Sequence, residues 1–354
     1  MYSESDIDGA VTAGAISAES AAAFRGHVAM ARQAPAVDEE QFRLLTGFND
    51  IFVSIACVLL LAALAGIGGA AHRVLAPAFV AAAAWGLSEY FTRRRRMALP
   101  SIILLLAFVG GVAATFAAAL ANRMVGDWIQ SVAPEHNVQI AVASVLAALV
   151  AALTAAAAWL HWRRFMVPIT VAAGAVAIVG VAMALIVGLI PRARDAVLPL
   201  VLVAGIAMFA FAMRWDMSDR ERRTRRSDVA FWLHLAAAPM IAHALFNLLG
   251  VFDGDIGVVQ AALVLALYVG FAFVALAVDR RALLVSSLVY VLFALYALFQ
   301  QAGAVELSAA FTGLVIGSAL LLLSAFWHPV RRRVVATLGG GVAERLPPVA
   351  MVAA

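Results

Sequence analysis

Uninterrupted apolar runs of about 20 residues recur along almost the whole chain, and they leave few folds open. Backbone N–H and C=O groups cannot go unpaired in hydrocarbon, so a run of that length crosses a bilayer core of about 30 Å as an α-helix. By that measure, residues 51–70, 74–90, 99–121, 140–160, 165–190, 196–213, 229–249, 256–277, 282–299 and 307–327 read as ten transmembrane helices. The second run is the weakest, being short, holding Pro77 and having Glu89 near its end. The expected fold class is all-α, a polytopic integral membrane protein. Of the 354 residues, 65% are hydrophobic and only 13% charged, whereas a soluble domain averages about 45–50% apolar.

The charges sit in short clusters between the runs. All 25 basic residues are Arg, which with the abundant Ala suggests a GC-rich bacterial genome. Loops after even-numbered runs, together with the tail, hold 18 arginines, and loops after odd-numbered runs hold four. Positive charge resists translocation, so this bias predicts both termini in the cytoplasm and a bacterial inner-membrane location. Trp159, Trp162, Trp215, Trp232 and Trp327 lie beside the Arg clusters, where amphipathic rings favour the headgroup layer. Cys57 is the one cysteine and cannot form an internal disulfide. No cleavable leader is expected, because residues 1–50 are polar and acidic; the first run would serve as an uncleaved insertion signal.

Three units are expected: a cytoplasmic helical module at 1–50, the membrane domain at 51–333 and a flexible cytoplasmic tail at 334–354. In the module, residues Ser3 to Asp6 can cap a helix that Gly14 stops. Ser17 caps a second helix from Ala18 to about Arg32, and Asp38 with Gln41 opens a third towards the first run. Phe42, Leu45 and Phe48 suit an interfacial position on that third helix. The first two helices bury little alone, so they would pack on the membrane domain or on a cytoplasmic protein partner. A repeat is also hinted at: Arg95-Arg96 followed by Pro100 resembles Arg163-Arg164 followed by Pro168, and Arg280-Arg281 keeps the Arg pair without the Pro.

The stretch from Asp6 to Ala22, with its helix, Gly-x-Ile-Ser, helix pattern, resembles the opening of bacterial multi-spanning proteins grouped as domain of unknown function 2157. Phe42 to Val53 and Phe231 to His243 resemble further segments of such proteins. The resemblance implies a multi-spanning architecture and brings no activity, substrate or cofactor.

Polar groups inside lipid are expensive and mark function or helix contacts. The seventh run carries His234, Pro239, His243 and Asn247. His243 and Asn247 share a face, whereas His234 lies about half a turn around from His243 unless Pro239 bends the helix. These three form the candidate intramembrane polar site, against the plainer reading that they hydrogen-bond neighbouring helices. Glu89 reads as a local charge pair or as an acid at a cavity mouth, and Asn49 and Asp50 as caps of the first run or interface residues. A metal site is not expected, since no second ligand cluster accompanies the histidines. No cofactor is expected either.

Residues 214–228 hold six Arg against four acids and suit lipid headgroups; nucleic-acid binding is not expected, as neither a fold nor a stacking platform accompanies them. Gly313 and Gly317 permit close helix packing within the chain, or contact in a homo-oligomer. Gly339, Gly340 and Gly341 are not followed by the Lys-Ser/Thr of a phosphate loop, and no nucleophile-elbow or zinc-protease motif occurs.

Three functions stay open. A non-enzymatic envelope or regulatory component ranks first, because intramembrane polar groups are scarce. A transporter or lipid-translocating protein with a small polar pocket at the seventh run ranks second. An intramembrane enzyme centred on His243 and Asn247 ranks third, for want of a nucleophile or acid–base partner.

Overall fold

A computed structural model describes residues 4–31, 48–133, 135–222, 224–251, 257–301, 303 and 305–349. Among these residues the regular structure is helical, with no strand. Two units separate, residues 1–42 with 349–354 and residues 43–348.

In the first unit, α1 (Glu4–Thr12) and α2 (Ala18–Ala31) follow the expected pattern. Gly14 ends the first helix region at φ 71°, a backbone state that glycine adopts without a Cβ clash. The Ser17 hydroxyl accepts from the Ser20 N–H at 3.0 Å, so it does cap α2. Asp8 and Arg25 pair at 2.6 Å in an exposed contact of the kind that adds little stability. The third helix expected from Asp38 lies outside the described residues.

The second unit runs α3 (Phe48–Ala71), α4 (Leu75–Ser88), α5 (Ala98–Leu120), α6 (Arg123–Val132), α7 (His136–Phe165), α8 (Ile169–Leu189), α9 (Val197–Met217), α10 (Arg225–Leu248), α11 (Val258–Val278), α12 (Ala282–Gln301), α13 (Ser308–Ala325), α14 (Trp327–Thr337) and α15 (Gly340–Ala343). Among the described residues, nine helices are long and apolar enough to cross a membrane. The expected second run is not one of them, because α4 has only 14 residues before a six-residue π-helix, Glu89–Arg94, takes over. Pro77 does not interrupt it: it is the third residue of α4, where its missing N–H has no helical partner to lose.

Contacts at the helix ends show that successive long helices run in opposite directions. Glu89, just past α4, meets Arg164 at the end of α7, and Asp216 near the end of α9 meets Arg280 between α11 and α12. At the other end Arg194, before α9, donates to Asn137 at the start of α7 at 2.9 Å. The Arg clusters of the four hairpin turns thus share one end. Large apolar side chains such as Leu59, Val203, Val259, Val289 and Leu321 stay exposed along the helices. In water that would be costly, whereas hydrocarbon solvates them. The most deeply buried long helix is α10, which packs on α8, α9 and α12.

The hairpin likeness does not extend to turn geometry: the left-handed residue is Arg96 in the α4–α5 turn, Met166 in α7–α8 and Asp279 in α11–α12. Relative to the Arg pairs these positions differ, and Pro100 lies inside α5 whereas Pro168 precedes α8. Nor do Gly313 and Gly317 mediate close packing within the chain, since a Cβ at either would meet no heavy atom within 4 Å among the described residues. Close approaches occur instead at Gly68, Gly111, Gly205 and Gly188, the tightest at Gly188, where a Cβ would fall 2.0 Å from Ser144 Cβ.

Candidate functional site

Asp216 anchors the site because α9 outlasts its apolar run. The sequence places Asp216 in a solvated basic loop, but the helix continues to Met217 and carries the carboxylate inward to 2% exposure. Arg280 Nη2 donates to Asp216 Oδ1 at 2.5 Å, and His234 Nε2 lies 2.9 Å from Oδ2. Arg280 is itself 2% exposed. It follows Asp279, whose left-handed backbone (φ 56°) closes α11 and reverses the chain. A second Arg280 N–H reaches the Ser227 carbonyl in the first turn of α10 at 3.1 Å. Two helices, α9 and α10, and the α11–α12 turn therefore converge on one carboxylate.

A second carboxylate continues the network. Asp279 accepts from Arg222 Nη1 at 2.9 Å and from Trp327 Nε1 at 2.7 Å, and Arg331 Nε lies 3.4 Å away. Arg222 also donates to the Asp279 and Val278 carbonyls, so it covers the negative end of α11. Arg281 stacks over the Trp327 ring at 4.9 Å. Arg331 is 1% exposed and donates to the Pro347 and Pro348 carbonyls, while Arg220 Nε donates to that of Leu346. Of the stretch 334–354, expected as a flexible tail, residues 334–348 form the end of α14, α15 and this clasped segment. Charges withdrawn from water persist only when paired, so the network holds the arginine-rich helix ends in one arrangement.

The expected polar trio on α10 separates into two places. His234 belongs to the Asp216 network, with Phe209 edge-on at 5.0 Å. Its Nδ1 is buried with no hydrogen-bond partner among the described residues. His243 lies on an exposed flank, with Nδ1 2.9 Å from the Tyr290 hydroxyl, and the Asn247 amide donates to the His243 carbonyl at 2.9 Å. Pro239 stays inside α10 and does not bring the two histidines together. Tyr290 stacks on Phe246 at 4.4 Å, so this second group is an α10–α12 contact facing outward.

Glu89 accepts two N–H groups of Arg164, at 2.7 and 3.0 Å, and one of Arg93 at 3.2 Å. Its role is an ion pair at the surface that ties the π-helix to α7. Asn49 and Asp50 do not occupy a cap position; both are already helical in α3. Asn49 is exposed, while Asp50 is buried on the face that also carries Ser54, Cys57 and Leu61.

Sequence reasoning passed over Asp216, Asp279, Arg280, Arg331 and His161. An acid closing an apolar run at Asp216 and an acid before an Arg pair at Asp279 were the available signals. His161 is fully buried on α7, among Trp85, Phe108 and Phe165, with Nδ1 3.3 Å from the Thr170 hydroxyl. Among the described residues no group of three His, Cys, Asp or Glu side chains is placed to hold a metal ion.

Nine long apolar helices among the described residues, an outward apolar surface and ionisable groups gathered at helix ends are the features of a helical, multi-pass membrane protein. No known protein family, curated protein or solved structure matches the chain.

Proposed function

We propose that the chain is a ten-crossing integral protein of a bacterial inner membrane, with both termini and the arginine-rich end in the cytoplasm. In this reading α4 with its π-helix makes the tenth crossing. The clustering of hairpin-turn arginines at one end supports the orientation. The protein acts as a non-enzymatic envelope or regulatory component, embedded among membrane lipids, with residues 1–50 contacting a cytoplasmic protein partner. One observation carries this: the buried polar groups of Asp216, Asp279, Arg280 and Arg331 join helix ends to one another, and His234 ties α10 to Asp216. The outward position of His243 agrees, since a transport pocket would need it inside. The resemblance to the domain of unknown function 2157 proteins is consistent with the same architecture.

Transport or lipid translocation is the second reading, favoured by the Asp216–His234 dyad. A carboxylate and an imidazole buried between helices, with His234 Nδ1 unpartnered among the described residues, could carry a proton. A deletion strain complemented with wild type, His234→Gln or the double variant His243→Ala/Asn247→Ala separates the two readings through lipid and metabolite profiles. Full complementation by both variants at wild-type protein amounts supports the envelope role. A profile like that of the deletion, from a variant present at normal amounts, overturns it in favour of transport.

A further inference from the structure

At the end opposite the arginine-rich turns, α6 joins α5 to α7. Asn122 builds the corner. Its side-chain oxygen accepts from the Val125 N–H at 2.9 Å, capping α6, while its amide donates to the Ala119 carbonyl at 2.6 Å near the end of α5. One side chain thereby satisfies two helix termini and fixes where α6 departs. Over its ten residues α6 sorts its side chains by polarity. Met124, Val125, Trp128, Ile129 and Val132 recur at i, i+1, i+4, i+5 and i+8, which is one face of an α-helix. Arg123, Asp127, Gln130 and Ser131 take the other.

Val125 and Ile129 are half-buried, but the rest of that apolar face stays outside the core. Met124 is 81% exposed, Trp128 51% and Val132 53%, and no residue of α6 is buried. A ten-residue helix is marginal alone in water, so a helix of this composition needs a surface to lie on. We infer that α6 lies in the plane of the membrane, its apolar face sunk into the lipid leaflet at the end opposite the arginine clusters. Three features select lipid as the occupant. The helices that α6 joins also expose large apolar side chains near its two ends, Phe116 on α5 and Val138 on α7. Trp128 supplies the amphipathic ring that favours the headgroup boundary. The single Arg and single Asp cancel, so binding rests on apolar burial and needs no anionic headgroup, unlike the arginine-rich end. An amphipathic helix of this kind sits about 5–10 Å into the headgroup–acyl boundary.

The inference concerns a segment that the proposed function does not use, and depth measurement tests it separately. In a Cys57→Ala background, which removes the one native cysteine, the full chain carries Met124→Cys, Asp127→Cys or Leu321→Cys with an environment-sensitive fluorophore. The protein is placed in phosphatidylcholine nanodiscs with nitroxide-labelled acyl chains, or with aqueous iodide as quencher. The Met124 label should be quenched by nitroxide lipid several-fold more than the Asp127 label, with the order reversed for iodide. Equal iodide quenching at both positions overturns the inference. So does self-association of pyrene at Met124, which would show a second copy on that face. Leu321, exposed on α13, is the control: if nitroxide lipid does not reach it, the membrane reading itself fails. Should Cys57→Ala not fold, brominated lipids and the fluorescence difference between wild type and Trp128→Phe report the same depth.

Discussion

Asp216 and Arg280 stand 64 positions apart in the chain and meet as a buried pair, Nη2 to Oδ1 at 2.5 Å. Neither charge would be tolerated there alone, because the energy of removing an ion from water is offset only by a close partner. Asp216→Asn should therefore lower stability by roughly 3 kcal/mol, since it leaves the Arg280 guanidinium buried without its counter-charge. The double variant Asp216→Leu/Arg280→Met should recover most of that loss, since it removes both ions. Unfolding of purified protein in mixed detergent micelles measures both. Additive losses in the double variant would mean that the two groups are not coupled.

Arg331 holds the Pro347 and Pro348 carbonyls, and Arg220 that of Leu346. Trypsin must displace this segment to cut after Arg345. Arg331→Gln removes the charge that reaches Asp279 and weakens the grip on both proline carbonyls, so cleavage at Arg345 should become several-fold faster. Arg220→Gln, which disturbs one bond, should have the smaller effect. Mass spectrometry of a digestion time course reads the rates; unchanged cleavage in Arg331→Gln would show that the clasp does not restrain the segment.

Gly188→Ala should destabilise by about 1–3 kcal/mol, because the new methyl group overlaps Ser144 and overpacking costs that much. Ser144→Gly in the same chain should restore stability by vacating the space. Gly313→Ala, which enters open space, should be neutral or gain a few tenths of a kcal/mol through helix propensity. Thermal unfolding compares the four proteins. A shift in oligomeric state with Gly313→Ala would assign that face to contact between copies.

Glu135 precedes α7 and Thr224 precedes α10, so under the proposed orientation they fall in opposite compartments. Alkaline phosphatase fused after Glu135 should be active, and fused after Thr224 inactive, with a cytoplasmic reporter giving the reverse. Equal behaviour at the two points would refute the orientation.

Much of the helical framework was legible beforehand because its causes are local. Apolar length sets a span, Gly14 admits a positive φ, and the Ser17 hydroxyl lies within reach of a nearby N–H. The second run shows the limit of that reasoning. Its hydropathy was readable, but the passage from α-helix to π-helix at Glu89 falls where the chain turns towards α5 and where Arg164 arrives from 75 residues away.

The sequence by itself determined where the long apolar helices form and which loops gather arginine, since burial in hydrocarbon acts on composition over about 20 residues. Only the tertiary structure decided which polar side chains meet. Asp216 looked like one charge among many in a basic loop until α9 carried it inward and the reversal at Asp279 turned Arg280 onto it. His234 and His243 were grouped as one candidate site on opposite faces of a helix, and each found its mate on a different helix. A charge has no directional preference along the chain, so its partner is chosen by packing.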